Sequence, residues 1–188
     1  MQRKVINAGA DVLLALLYAP GSSGRIGEPI KGFTRLEKMM YLISKETTVK
    51  DVKDIIERDY HFEPDNFGPC AGEIYDDTEM LRDGKIIETT TVETDNLIES
   101  ADIGCVQDAE AEEESSPEPT KEAEVFQLSQ KGLRIGEIIF SALPEESRRR
   151  ISVIKTLYND KPVMDLVRFV YAKFPEATVR SKIRHVVS

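Results

Sequence analysis

The chain has 188 residues, 40% of them hydrophobic, which fits one globular domain with an insertion. Its apolar run from Val12 to Ala19 is far shorter than the ~20 residues of a transmembrane helix, and no small-residue cleavage site follows it. The two cysteines, Cys70 and Cys105, form no C-x-x-C pair. This spacing disfavours a structural zinc site, and a reducing cytoplasm is the expected compartment. We therefore expect no Cys70–Cys105 disulfide, and no membrane partner.

The net charge of −9 is concentrated in one segment. Residues 88–124 hold one basic and 13 acidic side chains, a net charge of −12, whereas residues 129–188 carry +6. The low isoelectric point therefore says little about what the folded part binds. The run "QDAEAEEESSPEPTKEAE" lacks hydrophobic periodicity and has the composition of a disordered segment.

A mostly apolar helix is predicted over Val5–Ala19, with Pro20 and Gly21 as its stop. The loop that follows, "PGSSGRIGEPIKG", has four glycines but neither a G-K-[ST] ending nor the G-x-G-x-x-G spacing. We therefore predict a surface loop here and not a phosphate-binding loop.

A second helix is predicted to begin at Thr34, because Thr34 and Glu37 form the T-x-x-E pattern of a capping box. Its buried stripe is predicted to comprise four apolar residues at helical spacing: Leu36, Met39, Met40 and Ile43. The basic residues off this stripe are predicted to face water: Arg35, Lys38 and Lys45. The stretch "VKDVKDIIERDY" predicts a further helix.

The stretch "HFEPDNFGPCAGEIYDD" combines a histidine, a cysteine and five carboxylates, so it predicts either a site or a structural corner. Pro64 and Pro69 exclude a continuous helix here. His61 and Cys70 lack the spaced partners of a metal site, and no nucleophile–base arrangement is recognisable. A structural corner is the preferred interpretation, with a partner-binding surface and a metal or catalytic site as the alternatives.

The next helix is predicted from Ala71 to a stop at Gly84, with four residues facing inward: Ile74, Tyr75, Thr78 and Leu81. Two strands, "KIIETT" and "EVFQLS", and three more helical stretches follow. The fold class is therefore mainly α with a small β-hairpin (α+β). The order of elements predicts a winged-helix-like domain of residues 1–90 and 124–142, an acidic, disordered wing-tip insertion of residues 91–123, and a C-terminal helical extension of residues 143–188.

Four blocks of the chain resemble the YwgA-like prokaryotic proteins, which are more distantly similar to Panacea-domain (SocA-like) antitoxins. They contain "RLEKM", the aromatic–Gly–Pro turn ending in "FGP", the acidic "EIYDD", and "LSQKG", followed by "IKTLYNDKPVMDLVRFVYAKFPE". Glu37 stands where these proteins usually have glutamine, and the acidic insertion is additional. The resemblance implies a small regulatory, antitoxin-like protein and supplies no catalytic residue.

The third helix of a winged helix usually enters the DNA major groove, but here it carries five carboxylates against Arg82: Glu73, Asp76, Asp77, Glu79 and Asp83. These carboxylates would repel phosphates, so DNA binding by this helix is disfavoured. Two basic regions remain candidate surfaces for a partner or for nucleic acid. The first comprises Arg25, Lys31, Arg35 and Lys38, and the second Arg148, Arg149, Arg150, Arg180, Lys182 and Arg184. The alternative interpretation of both is solvated helix faces.

The sequence thus predicts a non-enzymatic, winged-helix-like adaptor or regulator that acts through protein–protein contacts and uses no cofactor or metal. Its partner would be a toxin, another regulatory protein or a second copy of itself. The alternative is a nucleic-acid-binding transcriptional regulator that uses the basic regions outside the third helix. A hydrolase has no motif to support it.

Overall fold

The structure, a computed structural model, describes residues 6–47, 50–94 and 122–179. The fold is mainly helical with two small antiparallel sheets, so the predicted α+β class is confirmed. The helices are α1 (Gly9–Tyr18), α2 (Phe33–Glu46), α3 (Lys50–Asp59), α4 (Gly72–Asp83), α5 (Gln130–Ala142), α6 (Glu145–Tyr158) and α7 (Val163–Lys173), and a 3-10 turn follows at Pro175–Thr178. The strands are β1 (Ile30–Lys31), β2 (Glu63–Asp65), β3 (Gly68–Cys70), β4 (Ile87–Glu93) and β5 (Glu122–Leu128).

The larger sheet has the strand order β1-β5-β4, with both pairs antiparallel. Phe126 at its centre pairs with Ile30 on one side and Thr89 on the other. The β4–β5 ladder continues to the pair Glu93–Glu122. The predicted insertion boundaries of 91 and 123 are therefore too wide, because ladder hydrogen bonds order both ends of that segment. The predicted disorder falls on residues 95–121, which lie outside the described residues.

Helix α2 is the central element of the core, because every residue from Phe33 to Ser44 is buried. Helices α3, α6 and α7 and strand β3 all pack against it. Its predicted apolar stripe is confirmed, and Lys45 is exposed as predicted. The prediction that Arg35 and Lys38 face water is wrong. Both side chains are buried because other elements pack over them: Arg35 contacts the connection between α6 and α7, and Lys38 contacts strand β3.

The predicted capping box at the start of α2 is also wrong. The helix begins at Phe33, and Gly32 takes the N-cap position with a φ of 85° that joins β1 directly to the helix. Thr34 and Glu37 both lie inside the helix. The carboxylate of Glu37 instead accepts a hydrogen bond from the backbone N–H of Ala71, which precedes α4.

The stretch from His61 to Asp77 folds as a short hairpin, β2–β3, that leads into α4. The Phe62 ring packs edge-on against Tyr41 with 5.2 Å between ring centroids, which ties the hairpin to α2. Among the helices described, none has the length and apolarity required to cross a bilayer.

Candidate functional site

Arg35 lies in the interior and joins α2 to the connection between α6 and α7. Its side chain is 3% exposed. One terminal nitrogen donates to the carbonyl oxygens of Tyr158 at 2.6 Å and Lys161 at 2.5 Å, and Nε donates to that of Lys31 at 3.0 Å. Because Tyr158 ends α6, the guanidinium also offsets the negative end of that helix dipole. Arg35 therefore serves the packing of the C-terminal helices.

Lys38 fixes the β2–β3 hairpin against α2. Its Nζ donates to the carbonyl oxygen of Pro69 at 2.8 Å and lies 3.6 Å from the carboxylate of Glu37. The neighbouring Gly68 has a φ of 97°, and a Cβ atom there would lie 2.7 Å from the Tyr171 ring. Both the left-handed backbone and the tight space require glycine at this position.

The Glu37–Lys38 pair is almost completely shielded from water, with side chains 3% and 1% exposed. Burial raises the pKa of Glu37 to about 7, although Lys38 and the Ala71 N–H oppose this shift. Burial likewise lowers the pKa of Lys38. Glu37 Oε1 has no hydrogen-bond partner among the described residues. Since desolvation of the two charges costs more than a single contact returns, the pair depends on the packing around it.

A third buried cation, Lys155 of α6, closes the C-terminal end of α1. It is fully buried, and its Nζ donates to the carbonyl oxygen of Leu17 at 2.7 Å. Burial lowers the pKa of Lys155 to about 7, and Glu28 partly opposes this. A hydrogen bond from the Ser23 hydroxyl is the main cause of the lowered pKa of Glu28.

The glycine-rich loop between α1 and β1 uses its donors internally. Residues 22–26 are exposed, as predicted for a surface loop. The carboxylate of Glu28 accepts the backbone N–H groups of Ser23 at 3.0 Å and Arg25 at 3.2 Å. These N–H groups therefore already hold an anion that belongs to the chain, which agrees with the absence of a phosphate-binding motif.

The first predicted basic region does not form one surface. Arg25 is exposed, with its Nε donating to the Ser23 hydroxyl at 3.0 Å, and Lys31 is half-buried on β1. Arg35 and Lys38 lie in the core. A shallow depression of about 360 Å³ adjoins this region and is lined by Pro29, Lys31, Arg35, Asn159, Asp160, Lys161 and Pro162. Because charges of both signs line it and Arg35 already serves three carbonyl oxygens, it favours no one class of ligand.

The second basic region lies at the start of α6. Arg149 is exposed and Arg148 half-buried. Arg150 approaches the Glu46 carboxylate at 3.5 Å, and Lys173 of α7 binds the same carboxylate at 2.5 Å, so this region also joins three helices. The other members of the predicted region lie outside the described residues: Arg180, Lys182 and Arg184.

The residues that suggested metal or redox chemistry are engaged in other contacts. His61 Nδ1 lies 2.7 Å from Glu73 Oε1 at an exposed position. Cys70 is disulfide-bonded, so the sequence argument against a disulfide was wrong. That argument depended on an expected reducing compartment and not on geometry. Across residues 6–47, 50–94 and 122–179, no three His, Cys, Asp or Glu side chains are grouped so that they could hold a metal ion.

The most prominent surface feature is the outward side of α4, which we call the α4 face: Tyr75, Asp76, Glu79, Met80 and Asp83. All five are exposed, including 55% of Met80 and 36% of Tyr75. Asp76, Glu79 and Asp83 lie at positions i−4, i−1 and i+3 relative to Met80. At helical spacing the three carboxylates therefore form the middle of the α4 face, and Met80 and Tyr75 lie on its two opposite margins.

The other charged groups of α4 are paired within the protein. Asp77 accepts a hydrogen bond from the Tyr60 hydroxyl at 2.7 Å, and burial raises its pKa. Arg82 binds Glu124 of β5 at 3.1 Å. The acidic charge that the sequence assigned to the helix as a whole is therefore divided between internal contacts and the α4 face.

The exposure of Tyr75 corrects a prediction that placed it among the inward residues of α4. Ile74, Thr78 and Leu81 are buried as predicted. Tyr75 is one residue beyond this stripe, where its ring contacts Phe33 edge-on at 5.8 Å while one side stays open to water. The sequence signal for the α4 face was the run of carboxylates, and the two apolar residues among them went unnoticed.

Comparisons of this chain with protein-family models, curated proteins and solved structures give no match.

Proposed function

We propose that the chain is a winged-helix-like regulatory protein that binds another protein through the α4 face. The proposal is supported by the sequential order α1–β1–α2–α4–β4–β5 and the strand order β1-β5-β4, which are compatible with a winged helix in which α4 would be the third helix. The hairpin β2–β3 and helix α3 would then be additions between the second and third helices. The resemblance to YwgA-like proteins agrees with this assignment.

The observation that carries the proposal is the composition of the α4 face. Three exposed carboxylates oppose a phosphate backbone and favour a cationic surface. Met80 and Tyr75 add exposed apolar area of the kind that is enriched at protein interfaces. The expected partner is therefore a protein with basic and apolar side chains on one face. An antitoxin-like role, with a toxin as that partner, is one form of this proposal.

A nucleic-acid-binding regulator is the second candidate, favoured by the exposure of Arg149 beside Arg148. This alternative has less surface than the sequence indicated, because two of its ten candidate residues are buried. No step of either proposal requires the protein to act as an enzyme or to hold a cofactor.

The test compares two variants that each remove two negative charges. Asp76→Asn with Glu79→Gln alters the α4 face, whereas Glu137→Gln with Glu145→Gln alters exposed positions on α5 and α6. Proteins retained by each variant from the native cell would be quantified by mass spectrometry at matched folding stability. We expect a protein that the wild type and the α5/α6 variant retain and the α4 variant loses.

Retention of a short DNA duplex by the same proteins separates the two candidates. Two results together would replace the proposal by the nucleic-acid-binding candidate. The wild type, the α4 variant and the α5/α6 variant would all retain the same protein partners, and Arg149→Gln would abolish salt-sensitive retention of DNA.

A further inference from the structure

The chain contains a basic segment that matches the α4 face. Residues 180–188, "RSKIRHVVS", lie outside the described residues and carry three basic side chains and three apolar ones. The basic residues are Arg180, Lys182 and Arg184, and the apolar ones Ile183, Val186 and Val187. This combination of basic and apolar side chains complements a surface on which three carboxylates lie between exposed Met80 and Tyr75.

The described chain ends close to the element that leads into α4. The 3-10 turn at Pro175–Thr178 packs against both β2 and β3. The ring of Phe174 lies 5.3 Å from Tyr41, which also contacts Phe62 just before β2. Val179, the last described residue, is 63% exposed, so the chain leaves the body at the surface beside the β2–β3 hairpin.

The distances permit contact between this segment and the α4 face. Nine extended residues span about 30 Å. Strand β3, with three residues, is about 10 Å long. Helix α4, with 12 residues, is about 18 Å long. Ala71 alone separates the two elements. Residues 180–188 can therefore reach the middle of α4 from Val179 without any rearrangement of the body.

We propose that residues 180–188 dock on the α4 face of the same molecule and occupy it until a partner displaces them. The basic side chains of the segment would face the carboxylates of the α4 face, with Asp76 nearest to the start of the segment, and its apolar side chains would cover Met80. This inference rests on the proposed function, because it describes how the same face is regulated. A tethered segment needs little intrinsic affinity, since its effective concentration at the face is in the millimolar range.

Carbodiimide cross-linking of the full-length protein tests the contact directly. The reagent activates a carboxylate, and a lysine amine within contact distance attacks it to form an amide, so only touching Lys–Asp or Lys–Glu pairs become linked. We expect monomeric protein to contain Lys182 linked to Asp76, Glu79 or Asp83, identified by mass spectrometry of its peptides. Raising the salt concentration should cause loss of most of this product, since the attraction is screened.

Two variants provide matched controls in the full chain. Arg180→Gln with Arg184→Gln retains the reactive Lys182 but weakens docking, so we expect loss of most of the α4 cross-link. Glu137→Gln with Glu145→Gln leaves it unchanged. Two results would overturn the proposal. Lys182 could be linked chiefly to acidic side chains within residues 95–121, or it could be linked to α4 only in cross-linked dimers.

Failure of the docking proposal can be distinguished from failure of the proposed function. Cross-linking needs no partner, so its absence refutes the docked segment even if the α4 variant still loses a partner. If the segment docks, Arg180→Gln with Arg184→Gln should increase retention of a partner that depends on α4. Docking without any α4-dependent partner would leave the contact established and refute the proposed function alone.

Discussion

Arg35 on α2 and Arg149 on α6 carry the same guanidinium group, but the first lies in the core and the second in solvent. Arg35, together with Lys38 and Lys155, is held mainly by backbone carbonyl oxygens. Arg149, in contrast, is exposed to solvent. In this molecule, basic residues in the interior position the helices. Exposed charge, above all on the α4 face, is what we propose contacts a partner.

Replacement of Lys38 by alanine is expected to give the largest loss of stability. It would leave the Glu37 carboxylate buried without its counter-charge and the Pro69 carbonyl without its donor. Loss of one partner from a buried pair costs about 3–5 kcal/mol. Urea unfolding of Lys38→Ala and of exposed Lys45→Ala compares the two environments. Equal stability of the two variants would contradict the interior role of Lys38.

The buried ammonium of Lys155 predicts an increase in stability from about pH 7 upwards. Its folded pKa is about 7 and its unfolded pKa is 10.5, so between these values the unfolded chain binds more protons. Unfolding free energy should therefore rise with pH across this window, by as much as several kcal/mol. Lys155→Met should remove this rise. Parallel urea titrations of both proteins from pH 6.5 to 9.5 measure the difference, and equal slopes would contradict the account.

Glu37 predicts a pH dependence of the opposite sign at lower pH. Its folded pKa is about 7 and its ordinary value is 4.5, so the folded state binds more protons between these values. Its contribution is therefore fully present below about pH 4.5 and is lost as pH rises towards 7. Relative to the wild type, we expect the unfolding free energy of Glu37→Gln to be lowest in acid and to increase as the pH approaches neutrality. A constant difference in unfolding free energy would show that the carboxyl titrates normally.

Removal of the acidic segment should have a measurable effect on DNA binding and, apart from the loss of a disulfide, a small effect on folding. Residues 95–121 include Cys105, the only cysteine of the chain besides the disulfide-bonded Cys70, so the stability of the deletion variant is compared with that of Cys105→Ser. The β4–β5 ladder extends to Glu93 and Glu122, so the segment to be replaced by a Gly-Ser turn is residues 95–121. A tethered acidic segment competes with phosphates for Arg148, Arg149 and Arg150. We expect higher non-specific affinity for DNA after the deletion, with a gain that shrinks as salt rises. Gel-shift titrations that show equal binding, or loss of cooperative unfolding, would contradict these expectations.

Local sequence pattern was sufficient to predict the position of most described helices and the apolar stripe of α2. The pattern failed where distant segments decide the environment. Arg35 and Lys38 lie off that stripe, and an isolated helix would leave them in water. Their partners, Tyr158 and Pro69, lie 123 and 31 residues away along the chain. No local window contains that information.

Short elements were missed for a different reason. Strand β1 has only two residues, Ile30 and Lys31, and they lie in a loop rich in glycine and proline, so periodicity cannot reveal it. The T-x-x-E pattern at Thr34 misled because Gly32 begins α2 earlier. For the α4 face, charge counting identified the carboxylates. It did not identify Met80 and Tyr75 as their exposed apolar neighbours, because that depends on how α4 packs.

A matched pair of substitutions tests the central distinction most directly. Arg35→Gln and Arg149→Gln make the same chemical change in the two environments. Arg35→Gln leaves three backbone carbonyl oxygens without their donor, each worth about 1–3 kcal/mol when buried and unsatisfied, so we expect a loss of several kcal/mol. Arg149→Gln should change stability by less than about 0.5 kcal/mol. Equal urea midpoints and slopes for the two variants would contradict the division between structural and exposed cations.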